Sequence, residues 1–125
     1  MTSSLRDEQQ QQRNKDIVSK LFEALNVHDL ERAGGLLSSS SNYSFHISGM
    51  PPMDVSGRKQ VFAGAVNAFP DFHHNIIDVV AENDKVAVRY IVTGTHKGEF
   101  QGIPPTGKQV SFEGTEFITI MDGKI

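Results

Sequence analysis

Cysteine is absent from the chain, which removes disulfides, thiolate nucleophiles and every zinc site built on thiolates. The same absence fits a reducing compartment. Tryptophan is absent too. No stretch approaches the roughly 20 consecutive apolar residues that a membrane-spanning helix needs. Residues 1–13 are polar and Gln-rich and lack the apolar run of a signal peptide, so the expected location is cytoplasmic, with no membrane partner. An excess of positive charge is missing as well. Twelve Lys and Arg stand against 15 Asp and Glu, and the basic residues are scattered singly or in pairs. A nucleic-acid partner, which needs clustered basic side chains on one face, is therefore not expected.

What is present suffices for one modest core. The 125 residues are 38% hydrophobic and include eight Phe, enough for a single folding domain. Residues 1–13 read as a flexible tail, whose Gln9–Gln12 run could extend the first helix but has nothing to bury, and 14–125 as the domain. From Asn14 a helical stripe begins, with Ile17, Val18, Leu21, Phe22 and Leu25 on one side and Lys15, Asp16, Lys20 and Glu23 on the other. Asp29 is placed to cap a second short helix, Leu30 to Leu37, weakened by Gly34-Gly35. Tyr43 to Ser48 alternates as a short strand and ends at Gly49-Met50-Pro51-Pro52. A third helix follows Ser56-Gly57, with Val61, Phe62, Ala65, Val66 and Phe69 on its stripe, and Pro70 stops it.

After Pro70 the period changes from 3.6 to 2. Phe72 to Ala81 reads as a strand, and Asn83-Asp84 as a tight turn. The next strand is Lys85 to His96, with Val86, Val88, Tyr90 and Val92 on one face. A loop rich in Gly and Pro covers 97–108. Gln109 to Met121 is a third long strand, with Val110, Phe112, Gly114, Glu116, Ile118 and Ile120 on one face, and Asp122-Gly123 is a two-residue hairpin turn. Helices first and antiparallel strands afterwards give an α+β domain. The expected architecture is a curved, mostly antiparallel sheet with the helices packed on its concave face, a cone-shaped barrel around an internal pocket.

One long stretch adds a resemblance. Ala68-Phe69-Pro70-Asp71-Phe72 is followed by Val80-Ala81-Glu82-Asn83-Asp84-Lys85-Val86-Ala87-Val88-Arg89-Tyr90. Then comes Gly94-Thr95-His96-Lys97-Gly98-Glu99-Phe100-Gln101-Gly102-Ile103-Pro104-Pro105-Thr106-Gly107-Lys108. Together they closely resemble the SnoaL-like polyketide cyclases, also called ester cyclases, from about Lys15 to Ile125. The resemblance implies the nuclear-transport-factor-2-like cone fold. It also implies acid–base chemistry without metal or cofactor, in the characterised cyclases an intramolecular aldol closure of an aromatic polyketide ester. Two departures stand out. Family members usually continue past Asp122-Gly123-Lys124-Ile125 with a further strand, and their last long strand usually carries Asp where this chain has Glu116.

Glu116 is the first catalytic candidate. It shares a strand face with Val110, Phe112, Ile118 and Ile120, and it matches the family's acid/base position. Burial there would raise its pKa toward the range useful for acid–base work. The alternative is a solvated rim carboxylate. His96, on the face of Tyr90 and Val92, would orient Glu116 or stabilise an enolate; otherwise it is a loop-entry histidine bonded to backbone. His46 is the third catalytic candidate, on a strand whose inward face one sequence leaves open. Tyr90, His74, Phe22, Phe62, Phe69, Phe112 and Ile118 are expected to line the pocket, most of the helix-borne Phe also serving the core. His73 and His74 face opposite sides of one strand and cannot chelate one ion together, so no metal site is expected. Asp78 reads as a sheet-edge charge or a second buried acid, and Arg89 as a cross-strand surface pair.

Three functions are compatible with these residues. The first is an enzyme acting at a carbon α to a carbonyl of a small apolar ligand. The second is a binding protein with the same cavity and no chemistry. The third is an assembly module in which an unpaired strand edge makes a homodimer or higher homo-oligomer.

Overall fold

In the computed structural model, which describes residues 2–37, 44, 46 and 50–125, one long helix lies across an antiparallel sheet. Helix α1 spans Thr2–Asn26. It starts at Thr2 rather than Asn14. The Gln, Glu and Arg of 6–13 are good helix formers that extend a helix nucleated by its apolar half. Leu5 is exposed, whereas Val18, Leu21, Phe22, Ala24 and Leu25 are buried, so the expected stripe is what docks. Full burial of a Leu or Phe side chain contributes about 1.5–3 kcal/mol.

Polar residues on the same stripe fix the register of α1 on the sheet. Asn14, itself buried, donates Nδ2 to the carbonyl of Asn83 at 3.2 Å. At the other end Asn26 donates Nδ2 to the His74 carbonyl (3.0 Å) and its Oδ1 accepts from the His74 N–H (2.7 Å). These contacts run α1 antiparallel to the first strand.

Helix α2, Leu30–Gly35, is capped as expected: the Asp29 carboxylate accepts from the Arg32 N–H at 3.0 Å. Helix α3 is Val55–Ala68. It begins before Ser56-Gly57 because Asp54 caps it, accepting from the Gly57 N–H at 2.8 Å. The strand expected at 43–48 lies largely outside the described residues. Of that segment Ser44 and His46 are described, and both are exposed.

Strands β1 (His73–Glu82), β2 (Lys85–Thr95) and β3 (Gln109–Thr119) pair in the order β1-β2-β3, antiparallel throughout. Each lies within two residues of its expected span. The helix-covered face carries His74, Val79, Ala81, Val86, Val88, Tyr90, Val92, Glu116 and Ile118. In β1 the pairing slips: Ile76 faces Tyr90 and Asp78 faces Arg89, so Ile77 is an extra, bulged residue. The bulge settles Asp78. Its carboxylate lies on the open face, 2.6 Å from Arg89, which also reaches Glu113 at 3.6 Å. Arg89 is thus the expected cross-strand surface pair.

The 96–108 loop folds back over the end of α3. Lys97 and Gly98 both donate to the Ala68 carbonyl. A Cβ at Gly98 would stand 2.5 Å from the Asn67 carbonyl oxygen, so glycine is required for this crossing. At the chain's other turn, Asp122 (φ 52°) and Gly123 (φ 74°) form the expected hairpin, closed by reciprocal bonds between Met121 and Lys124. The Ile125 N–H then docks on the Leu36 carbonyl at 3.0 Å. No helix among the described residues is long and apolar enough to cross a membrane.

Candidate active site

The sheet and α3 bring four polar side chains together on the helix-covered face. Glu116, opposite Val88 on β3, is mostly buried, and its Oε1 lies 3.3 Å from Nη2 of Arg58. Arg58 stands in the first turn of α3, and its side chain is 12% exposed against 16% for Glu116. Tyr90 is the next residue up this face. It sits opposite Gly114, and a Cβ at Gly114 would lie 2.5 Å from Cε1 and 3.0 Å from the hydroxyl of Tyr90. Glycine therefore lets the phenol lie across β3 toward Glu116 two residues on. Burial first, then the charge of Glu116 and a hydrogen bond to it, push the Tyr90 phenol well above its ordinary value. Tyr90 stays protonated at every physiological pH and presents a donor to the carboxylate.

His74 is the fourth member. It is 7% exposed, and its ring meets Tyr90, Phe72 and Phe22 edge-on at centroid distances of 4.8, 4.9 and 5.0 Å. Burial in this aromatic cage, helped by the charges of Arg58 and His73, pulls its pKa down to about 4. The ring is neutral at pH 7, and its Nδ1 is buried without a hydrogen-bond partner. Asn26 holds its backbone on both sides, so the ring's origin is fixed to α1. His73 points the other way and is exposed, as the alternation requires.

Two of the three catalytic candidates do not join this cluster. His96 lies eight residues beyond Val88 along β2, roughly 25 Å at strand rise, so it cannot orient Glu116. Parity put both on one face, and parity carries no distance. His96 instead anchors the loop. It is buried, its Nδ1 is 3.0 Å from Thr106 Oγ1, its ring lies 5.3 Å from that of Phe69, and its backbone exchanges bonds with Gly107 and Lys108. His46 is exposed and hydrogen-bonds Ser44 Oγ at 2.8 Å. Glu116 itself does not sit among apolar groups alone, because Arg58 faces it.

The expected pocket residues divide. Tyr90 and His74 belong to the cluster. Phe22, Phe62 and Ile118 pack into the hydrophobic core, and Phe69 covers His96. Phe112 shares the helix-covered face yet is 55% exposed. A groove lined by Val80, Ala87 and Phe117 lies on the opposite face and holds none of these residues. Among the described residues no three His, Asp or Glu side chains are grouped to hold a metal ion.

Arg58 is the residue that the sequence reading missed. The signal was available: Arg58 falls four residues before Phe62 and seven before Ala65, on the buried stripe of α3. A charge on a buried stripe needs a partner, and the one acidic residue on the inward face of the last long strand was the obvious choice.

Residues 15–125 match the family of SnoaL-like polyketide cyclases. Among solved structures, AclR of Streptomyces galilaeus, described as a candidate hydroxylase, superposes with a TM-score of 0.81 at 32% identity, over 91% of this chain and 71% of its own. IdmH of Streptomyces antibioticus, described as a candidate polyketide cyclase, gives 0.74 at 29% identity, over 89% and 85%. A SnoaL-like protein of Jannaschia sp. CCS1 gives 0.81 at 20% identity, over 91% and 81%, which speaks for the fold alone. Among curated proteins none matches the chain.

Proposed function

The chain belongs to the SnoaL-like polyketide cyclase family, and from that premise we propose that it performs acid–base chemistry, without a cofactor, on a mid-sized apolar carbonyl compound. Glu116 removes a proton from the carbon next to a carbonyl, and the C–H electron pair moves onto the carbonyl oxygen as an enolate. In an aldol closure the enolate carbon then bonds to a second carbonyl carbon, and the resulting alkoxide takes the proton back from Glu116. Tyr90 supplies a protonated phenol at the carboxylate. His74 supplies an uncharged imidazole in an aromatic wall that suits an apolar ring system.

The observation that carries this reading is the convergence of Glu116, Arg58, Tyr90 and His74 on one mostly buried patch. The likeness to IdmH supports the cyclase side of the family, while the likeness to AclR shows that relatives are assigned different chemistries.

A second reading is a binder with no turnover, favoured by one fact: the Glu116 carboxylate is already engaged by Arg58. One experiment separates the two. Purified protein is incubated with open-chain aromatic polyketide esters, and the ring-closed isomer of equal mass is followed by chromatography. Turnover by the native chain that falls at least ~100-fold in Glu116→Gln, with the melting curve retained, supports catalysis. Equal turnover by Glu116→Gln removes Glu116 from the chemistry. Saturable binding of the ester by the native chain without any product establishes the binder.

A further inference from the structure

Arg58 is a cation that α3 holds over the helix-covered face, its side chain only 12% exposed. Holding a guanidinium away from water is costly unless a charge or several acceptors compensate it. Asp54 fixes its starting point, accepting from the Gly57 N–H at 2.8 Å and, through its carbonyl, from the Arg58 N–H at 3.0 Å. The side chain then spans to β3 and meets Glu116 at 3.3 Å. Charge-assisted pairs of this kind close to about 2.7–2.9 Å when tight, so this contact is loose. Arg58 also acts on the rest of the cluster: its charge opposes protonation of His74 and favours ionisation of Tyr90. The guanidinium therefore lies within electrostatic reach of every member.

We propose that Arg58 is the specificity-determining cation of this site, selecting aromatic ligands that carry, or develop, negative charge on a carbonyl oxygen. The inference rests on the acid–base reading above and extends it to the ligand. The charge count explains why one arginine serves both states. At rest, Glu116 is anionic and Arg58 pairs with it. When Glu116 accepts the substrate proton it becomes neutral, and the negative charge moves to the enolate oxygen. Arg58 follows the charge, so the net charge of the buried patch is the same before and after transfer. A ligand with no such oxygen leaves the guanidinium tied to the carboxylate and gains nothing from it.

The test uses the full chain and two probes of one size. The first is 3-hydroxy-2-naphthoate, an aromatic anion, and the second is 2-isopropylnaphthalene, which is neutral and has no carbonyl oxygen. Binding is followed by probe fluorescence and by calorimetry. Arg58→Gln is expected to weaken the anion about tenfold, and Arg58→Lys to restore most of that loss, with the neutral probe changed less than about twofold in either variant. Glu116→Gln, which removes the negative charge facing Arg58, is expected to tighten the anion severalfold. Equal losses of both probes in Arg58→Gln would mean a merely structural role and overturn the proposal. So would unchanged anion binding. If Arg58→Gln does not fold, Glu116→Gln and the native chain decide: no tightening of the anion in the former, or no preference for the anion in the latter, overturns it. Turnover that persists in Glu116→Gln, beside anion selectivity that depends on Arg58, would sink the catalytic reading and leave this one standing.

Discussion

Replacing Gly114 by Ala tests whether the Tyr90–Glu116 arrangement is set by packing. The added methyl would sit 2.5 Å from Cε1, 2.9 Å from Cζ and 3.0 Å from the hydroxyl of Tyr90. Contacts that short cannot be absorbed by a few tenths of an ångström, so the ring must swing. Overpacking of this kind costs about 1–3 kcal/mol, and loss of the phenol's bond to a carboxylate adds a cost of the same order. A total near ~3 kcal/mol lowers the melting temperature by about 10 °C for a domain of this size. Thermal melts of Gly114→Ala, Tyr90→Leu and the double variant form a cycle. Removing the ring first should make the methyl harmless, so the double variant should be more stable than the sum of the single losses predicts, by at least ~1 kcal/mol. A melting temperature for Gly114→Ala within ~2 °C of the native value, or strict additivity in the cycle, would refute the claim that glycine makes room for the phenol.

His74 gives a pH dependence with a definite sign. Its pKa is about 4 in the folded chain against 6.5 for the ordinary side chain, so the unfolded chain binds the extra proton first. Stability is complete above pH 6.5 and falls as the pH drops toward 4, by about 3 kcal/mol at the limit. Denaturant titrations of the native chain and of His74→Phe between pH 7 and 4 should diverge by that slope, and parallel curves would contradict the burial argument. Asn26→Ala removes two side-chain bonds to the backbone of His74 and is expected to cost about 2 kcal/mol in the same assay, whereas a loss below ~0.5 kcal/mol would show the clamp to be idle.

Much of the architecture was readable from local chemistry. The period-2 runs gave the three strands, Asn83-Asp84 and Asp122-Gly123 gave the turns, and the Val18–Leu25 stripe gave the docking face of α1. The Gln9–Gln12 run allows an extension of α1, but its reach to Thr2 is not legible, because residues 2–13 carry no apolar stripe to announce it. In the site, Glu116, Tyr90 and His74 could be named from the sequence. Alternation says which face a side chain takes, and that is enough for residues near one another along a strand. It does not say how far apart two residues of one face lie, so parity alone cannot separate a His96 beside Glu116 from the loop-entry histidine that the structure has. Arg58 is hard to read because the apolar members define the stripe of α3, and a charge on that stripe shows its role only once its partner on β3 is known.

The extra residue in β1 has a consequence for how this strand can change. Before Ile77 the even-numbered positions look toward the helices, and after it the odd-numbered ones do. The half that holds His74 and the half that holds Val79 and Ala81 are therefore specified separately. Deleting one residue at Ile77 would restore unbroken alternation. If the Val79 half kept its pairing, Ile76 would follow Asp78 directly, still opposite Tyr90, and His74 would stay inward opposite Val92. A single-codon deletion could thus straighten the strand without exchanging the site histidine, and a sequence lacking that residue, compared without a gap there, would have its outward neighbour set against His74.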